Sequence, residues 1–222
     1  MIEIKGLDFQ YGEGDFHLDV PELSIARGEK VAFIGPSGSG KTTLIYLIAG
    51  VLQANKGSIR VDDIELSELP DKRRRVFRIS QIGFVFQEFE LIEYLSVRDN
   101  ILLPYHLNPA LTVSPDVPET VESLAVSMKL ADKLKRFPKT LSQGEKQRVA
   151  ICRALVAAPD LLIADEPTGN LDPATAGSIL ELLLETVELR RSTLLMVTHN
   201  HGLLKSFDRV IDVMDFASGR AP

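Results

Sequence analysis

Gly35-Pro36-Ser37-Gly38-Ser39-Gly40-Lys41-Thr42, preceded by the apolar run Val31-Ala32-Phe33-Ile34, decides how this chain is read. The spacing is G-x-x-x-x-G-K-[ST], that of a phosphate-binding loop. Its surroundings suit one: a buried-type strand comes before it, and a helical pattern in Leu44, Ile45, Leu47 and Ile48 runs on to Gly50. Glycine omits the side chain, so backbone N–H groups along Gly35, Ser37, Gly38, Ser39 and Gly40 can converge on phosphate oxygens. The new helix adds its positive end to the same place. Lys41 reaches the outer phosphates, the Thr42 hydroxyl suits Mg²⁺, and Thr43 completes the set. A Gly-Ser-rich stretch is often only a flexible turn; the flanking strand and helix favour the phosphate loop.

At 222 residues and 45% hydrophobic, the chain can bury a real core. The net charge of −6 argues against a nucleic-acid-binding surface spread over the protein. The single cysteine, Cys152, rules out a disulfide framework and agrees with a reducing compartment. Met1-Ile2-Glu3-Ile4-Lys5 lacks a signal pattern, and no apolar run approaches the roughly 18 residues that cross a bilayer. A cytoplasmic polypeptide is expected, with any membrane attachment supplied by a partner.

Outward from the loop, the pattern alternates. Ile2-Ile4 and Phe16-Leu18-Val20 read as strands separated by a turn at Gly12-Glu13-Gly14. Ser58-Ile59-Arg60-Val61 and Ile64-Glu65-Leu66 form another pair, and Ile82 to Phe86 a further strand ending at Gln87. From about Leu91 to Pro159 the period is helical, as in Val121, Leu124, Ala125 and Met128, with an irregular stretch from Pro104 to Pro118. The strand Leu161 to Ala164, a helix with Ile179, Leu180, Leu183, Leu184 and Val187, and the strand Leu194 to Val197 follow. The prediction is an α/β fold: a mostly parallel core sheet, an N-terminal antiparallel β part and an inserted helical lobe. The core covers 1–88 and 160–222 and the lobe about 89–159, in one domain.

Further chemistry sits at strand ends and one helix start. Leu161-Leu162-Ile163-Ala164-Asp165-Glu166 puts two carboxylates where ligands gather in a parallel sheet. Asp165 suits Mg²⁺ or its bound water, and Glu166 suits polarising an attacking water; the plain alternative is a strand that simply ends in a turn. Leu141-Ser142-Gln143-Gly144-Glu145 precedes a helix carrying Val149, Cys152, Leu155 and Val156. Ser142 and Glu145 fit a capping box, and a capped helix start with a glycine is also an anion site, so both readings stand. Gln87 can touch Mg²⁺ or water, or be a surface residue. His199 ends a buried-type strand and can contact a γ-phosphate. Tyr11 can stack on a base or join Phe9 and Phe16 in a core. Lys72-Arg73-Arg74-Arg75 and Arg78 read as a solvated helix face rather than a nucleic-acid or lipid patch.

In this order the elements resemble the nucleotide-binding subunit of ATP-binding-cassette (ABC) transporters over nearly the whole chain. The glutamine loop begins at Gln87, and Leu141 to Glu145 matches the family signature, with Gln143 and Glu145 departing from the commonest L-S-G-G-Q. Leu161 to Glu166 matches the acidic strand with its catalytic glutamate. Asn170-Leu171-Asp172 resembles the loop after it, His199 the switch histidine and Tyr11 the adenine-stacking aromatic. The resemblance implies an ATPase using ATP and Mg²⁺ that works as a head-to-tail dimer, a homodimer by expectation. Each ATP would lie between one phosphate loop and the other copy's Ser142, Gln143, Gly144 and Glu145. It also implies an integral membrane partner docking on the helical lobe near Gln87, peripheral placement on the inner face of the membrane, and no nucleic-acid partner. Phe84 to Ile92 and Val97-Arg98-Asp99-Asn100-Ile101 resemble the ATPases of lipoprotein-release and macrolide-export systems, without the regulatory domain of some importers. The alternatives are a soluble ABC ATPase acting on nucleic acid or ribosomes, which usually carries two cassettes or a heptad insertion, and an unrelated P-loop kinase.

Overall fold

The computed structural model describes residues 1–12, 16–109 and 111–218. Strands β1 (Ile2–Gln10), β2 (His17–Ile25) and β3 (Lys30–Ile34) lead to helix α1 (Lys41–Ile48). Strands β4 (Lys56–Val61) and β5 (Ile64–Glu65), helix α2 (Asp71–Gln81) and strand β6 (Ile82–Val85) follow. Helices α3 (Val97–Leu107), α4 (Val117–Ser127) and α5 (Gln143–Leu155) precede β7 (Leu161–Asp165) and α6 (Pro173–Arg190). The chain continues through β8 (Thr193–Val197), β9 (Arg209–Asp212) and β10 (Ala217–Ser218). Two compact units result: residues 1–78 together with those from Thr193 onward, and residues 79–192.

In the first unit an antiparallel sheet runs β10-β2-β1-β4-β5. Its strands alternate: Ile2, Ile4, Leu7 and Phe9 of β1 and Leu18, Val20, Leu23 and Ile25 of β2 are buried, with charged residues between them. β3 lies between β8 and β9 and is parallel to both. Val31, Ala32 and Phe33 are fully buried, as expected of a strand covered on both faces. The register between β1 and β4 slips between Lys5 and Asp8, and there Gly57 meets the backbone of Gly6. Gly57 has φ +85, and a Cβ on it would overlap the Gly6 carbonyl. Gly57→Ala is therefore expected to lower unfolding stability by about 3 kcal/mol, through both clash and backbone strain. Thermal unfolding checks this, and an unchanged midpoint would show that the bulge relaxes freely.

In the second unit β6 and β7 pair in parallel, and helices α3 to α6 belong to the same unit. α3 packs chiefly on α5, which also packs on β6 and α6. Asn100, fully buried in α3, donates to the carbonyls of Ile92, Leu95 and Ser96 and accepts from the Ile92 N–H at 2.8 Å. One buried amide thus ties three carbonyls and one N–H of the loop before α3 to that helix, and its own polar atoms are satisfied in return. The other end of α5 is tied by Arg190 Nη1, which donates to the Leu155 carbonyl at 2.9 Å. Cys152 lies buried inside α5, and burial pushes its thiol pKa up to about 12.

The α/β expectation holds, with an N-terminal antiparallel sheet, parallel core strands and helices inserted between them. Several boundaries differ. Pro104 sits inside α3 and Pro118 inside α4, so the irregular stretch is shorter than Pro104 to Pro118. Pro118 takes an early helical position where a missing N–H costs nothing, while the buried Val97 and Ile101 hold α3 despite Pro104. Leu66 begins a 3₁₀ turn rather than ending a strand, and β6 stops at Val85. The basic run is only partly solvated: Arg74 is buried, and Arg78 Nη1 donates to the Gly50 carbonyl. Gly12 is a turn at φ +50, while Glu13 and Gly14 lie outside the described residues. β9 and β10 add strands that the periodicity did not reveal.

Candidate nucleotide site

The first unit carries the glycine loop. β3 ends at Ile34, and α1 starts at Lys41 with Gly40 as its N-cap. Among the described residues no N-cap side chain bonds to this helix start, because the N-cap is a glycine. Gly40 has φ +91, and a Cβ there would come within 2.6 Å of Phe16 Cζ. The loop can be this tight only with glycine at that place. Lys41 is buried, its Nζ donating to the carbonyls of Gly35 at 2.9 Å and Pro36 at 2.8 Å. The ammonium thus folds over the loop it follows. Ser39 is buried, and its Oγ has no hydrogen-bond partner among the described residues. Ser37 and Thr42 are exposed, whereas Thr43 is buried and its Oγ1 lies 3.1 Å from the Tyr11 hydroxyl. Tyr11 is half-buried, with its ring edge-on to Phe9 at 4.7 Å and tilted against Phe16 at 5.9 Å. It therefore serves the aromatic cluster and also touches the phosphate-loop helix.

His199 follows β8 and is exposed. It lines a cavity of ≈ 320 Å³ with Ile34, Gly35, Pro36, Thr198 and Asp212. Asp212 closes β9 beside Ile34, and its Oδ1 accepts from the Met214 N–H at 3.0 Å. Reasoning from the sequence missed Asp212, because β9 is four residues long and no glycine or alternation marks it.

The second unit carries the carboxylates. All of β7 is buried, Asp165 included at 7% exposure. The chain then turns sharply, with Glu166 at φ +44 and its carbonyl accepting from the Gly169 N–H at 3.0 Å. A Cβ on Gly169 would stand 3.4 Å from Glu166 Oε2 and 3.6 Å from Gln87 Nε2, so Glu166 and Gln87 approach the same glycine. Asn170 Nδ2 donates to the Gln87 carbonyl at 3.3 Å. The structure thus brings Gln87, Glu166 and Asn170 together. Asp172 caps α6 by accepting from the Thr175 N–H at 3.1 Å, and this bonding to Thr175 holds its carboxyl below the usual range.

Ser142 and Glu145 form a complete capping box at the start of α5. Ser142 Oγ accepts from the Glu145 N–H at 3.3 Å, and Glu145 Oε2 accepts from the Ser142 N–H at 2.8 Å. The Ser142 N–H holds the Glu145 carboxyl below its usual range, and Lys133 stands 3.5 Å from the other oxygen. The carboxylate that departs from the commonest signature is therefore turned inward on its own helix end. Ser142 and Gln143 are exposed, but Gly144 is buried, and a Cβ there would meet Thr175 Cγ2 at 2.7 Å. Close packing of α5 on α6 thus requires this glycine independently of any ligand.

Residues 18–169 match the family model for ABC transporters, and the chain belongs to that family. It is an ATP-binding, ATP-hydrolysing subunit of such a system, closely related in sequence to the lipoprotein-release branch. The lipoprotein-releasing system ATP-binding protein LolD of Zymomonas mobilis is 36% identical over 218 residues, covering 97% of this chain and 93% of that protein. LolD of Legionella pneumophila strain Lens is 38% identical over 190 residues, covering 86% and 83%. Among solved structures, the dimeric post-hydrolysis state of the ATP-binding cassette MJ0796 bound to ADP and Pi matches with TM-score 0.84 at 32% identity, covering 96% and 94%.

Proposed function

We propose that two copies of this chain bind and hydrolyse MgATP head to tail, and that closing and opening of the pair drives an integral membrane partner from the inner face of the membrane. The observation that carries the phosphate assignment is the uncapped start of α1, with the buried, unpartnered Ser39 Oγ and the Lys41 ammonium beside it. An anion with several oxygens satisfies such a group of donors. In this reading Gly35, Ser37, Gly38, Ser39, Gly40 and Thr43 line the phosphates, Lys41 neutralises the outer ones, and Tyr11 stacks on the base. Thr42 and Gln87 hold Mg²⁺, with Asp165 acting through a bound water; all three offer the oxygen donors this ion prefers. The ion supplies charge neutralisation on the phosphate oxygens. Glu166 accepts a proton from the attacking water, and His199 steadies the γ-phosphate.

The second copy contributes Ser142, Gln143, Gly144 and Glu145. The MJ0796 cassette, solved as a dimer, supports the pairing. ATP favours the closed pair to the extent that it binds that form more tightly, and hydrolysis removes the preference. The membrane partner docks on the helical lobe, about 89–159, beside Gln87. Among the described residues no helix is long and apolar enough to cross a membrane, so this reading needs a separate spanning subunit.

Complementation tests the shared site. Chains carrying Ser142→Ala and Glu166→Gln are mixed before ATP is added. The mixed dimer contains one site with both an intact Glu166 and an intact Ser142. Hydrolysis by the mixture is expected to exceed the sum of the two variants alone. A mixture that merely equals that sum would show sites that work without the neighbouring copy.

A further inference from the structure

Arg153 stands in the last turn of α5, only 8% exposed, and the Glu90 carboxylate is near enough to act on its charge. Its guanidinium spends itself on backbone. Nη2 donates to the Phe89 carbonyl at 2.8 Å and Nη1 to the Glu90 carbonyl. Glu90 is one of the few non-glycine residues at positive φ, +50. A side chain in that conformation is strained, and such a bend persists where its surroundings over-determine it. Here the over-determination is a rigid planar fork closing on two successive carbonyls.

The same stretch of loop meets α5 again. Glu93 lies 3.9 Å from Lys146, two helical turns from Arg153 and on the same face. The Glu93 contact is exposed and contributes little energy, but it shows the path: the segment after Gln87 runs back along α5 from Arg153 toward Ser142. Between Arg153 and Ser142 the helix spans about 16 Å at about 1.5 Å per residue. An α-helix packed on α3, α4 and α6 moves as a body, so a shift at one end appears at the other.

We infer that Arg153 is a positioning residue that couples the strained bend at Phe89-Glu90 to the Ser142-Gly144 end of α5. This rests on the proposed docking of a membrane partner near Gln87 and on the use of Ser142 by the second copy. The guanidinium makes the bend and the helix one piece, so displacement of the bend by a partner becomes displacement of the signature. Without the fork the bend relaxes, and the helix start is no longer set by it.

The test uses the full chain with Arg153→Met, Arg153→Lys and the double change Arg153→Met with Glu90→Gly. Leu124→Ala, in the core of the same unit, is the control for plain loss of stability. Three readouts are taken: affinity for a fluorescent ATP analogue, ATPase rate against protein concentration, and amide exchange at residues 142–146. Arg153→Met is expected to bind the analogue like wild type and to hydrolyse about tenfold more slowly, within the range of couplings carried through packed elements. It should also exchange faster at 142–146. Arg153→Lys, which keeps the charge but loses the fork, shifts in the same direction and serves alone if the methionine variant does not fold. Glu90→Gly, which permits positive φ without strain, should recover much of the loss.

Wild-type rate and exchange in both Arg153 variants would overturn the inference. So would equal changes in Leu124→Ala, or no recovery from Glu90→Gly. A wild-type ATPase that is independent of protein concentration would instead strike the dimer reading, and the exchange data would then decide the role of Arg153.

Discussion

Glu166→Gln is expected to bind ATP normally, to hydrolyse it at least about a hundredfold more slowly, and to accumulate as a dimer. General-base assistance contributes about 10²–10⁴ in rate, and glutamine cannot accept the proton. The substitution is otherwise mild. Glu166 occupies φ +44, a conformation its neighbours hold through the Gly169 N–H on its carbonyl, and the amide is nearly the same size. Binding and catalysis should therefore separate. Phosphate-release assays give the rate, and a sizing column run with ATP and magnesium gives the assembly state. Unchanged turnover would remove Glu166 from the proton-accepting role and leave Gln87 and His199 as the groups to examine.

Lys41→Ala should abolish useful nucleotide binding. The buried ammonium is held on the Gly35 and Pro36 carbonyls, at the mouth of the uncapped helix. Losing hydrogen bonds from a charged group to phosphate costs about 3 kcal/mol, roughly a hundredfold in affinity. Because a ligand stabilises the folded form by an amount set by its concentration over Kd, the wild type should melt higher with added ATP and the variant should not. An equal ATP-induced shift in both proteins would mean that the loop grips phosphate through its backbone alone.

Features fixed by neighbouring residues were legible in the sequence. The glycine loop and the Ser142-Glu145 box are local chemistry, and both appear where the spacing places them. Strands buried on both faces, such as Val31 to Ile34 and Leu161 to Asp165, announce themselves as unbroken apolar runs. What stayed hidden depends on distant partners. Pro104 reads as a helix breaker until the packing of α3 on α5 overrides it. Arg74 reads as a solvated charge, and nothing near Arg153 in sequence shows that it meets carbonyls more than 60 residues away. The inward turn of Glu145 was half visible: its spacing gave the capping box, but Lys133 as neighbour did not follow from any pattern. Asp212 escaped because its strand is too short for period-two alternation to register.

The sealed thiol of Cys152 leaves the surface silent toward maleimide reagents, since burial denies both access and the reactive thiolate. One cysteine introduced at an exposed position would then carry the whole of an attached dye or spin label. Separation of two such labels on paired copies could be followed through a catalytic cycle without first stripping the native chain of its sulfur.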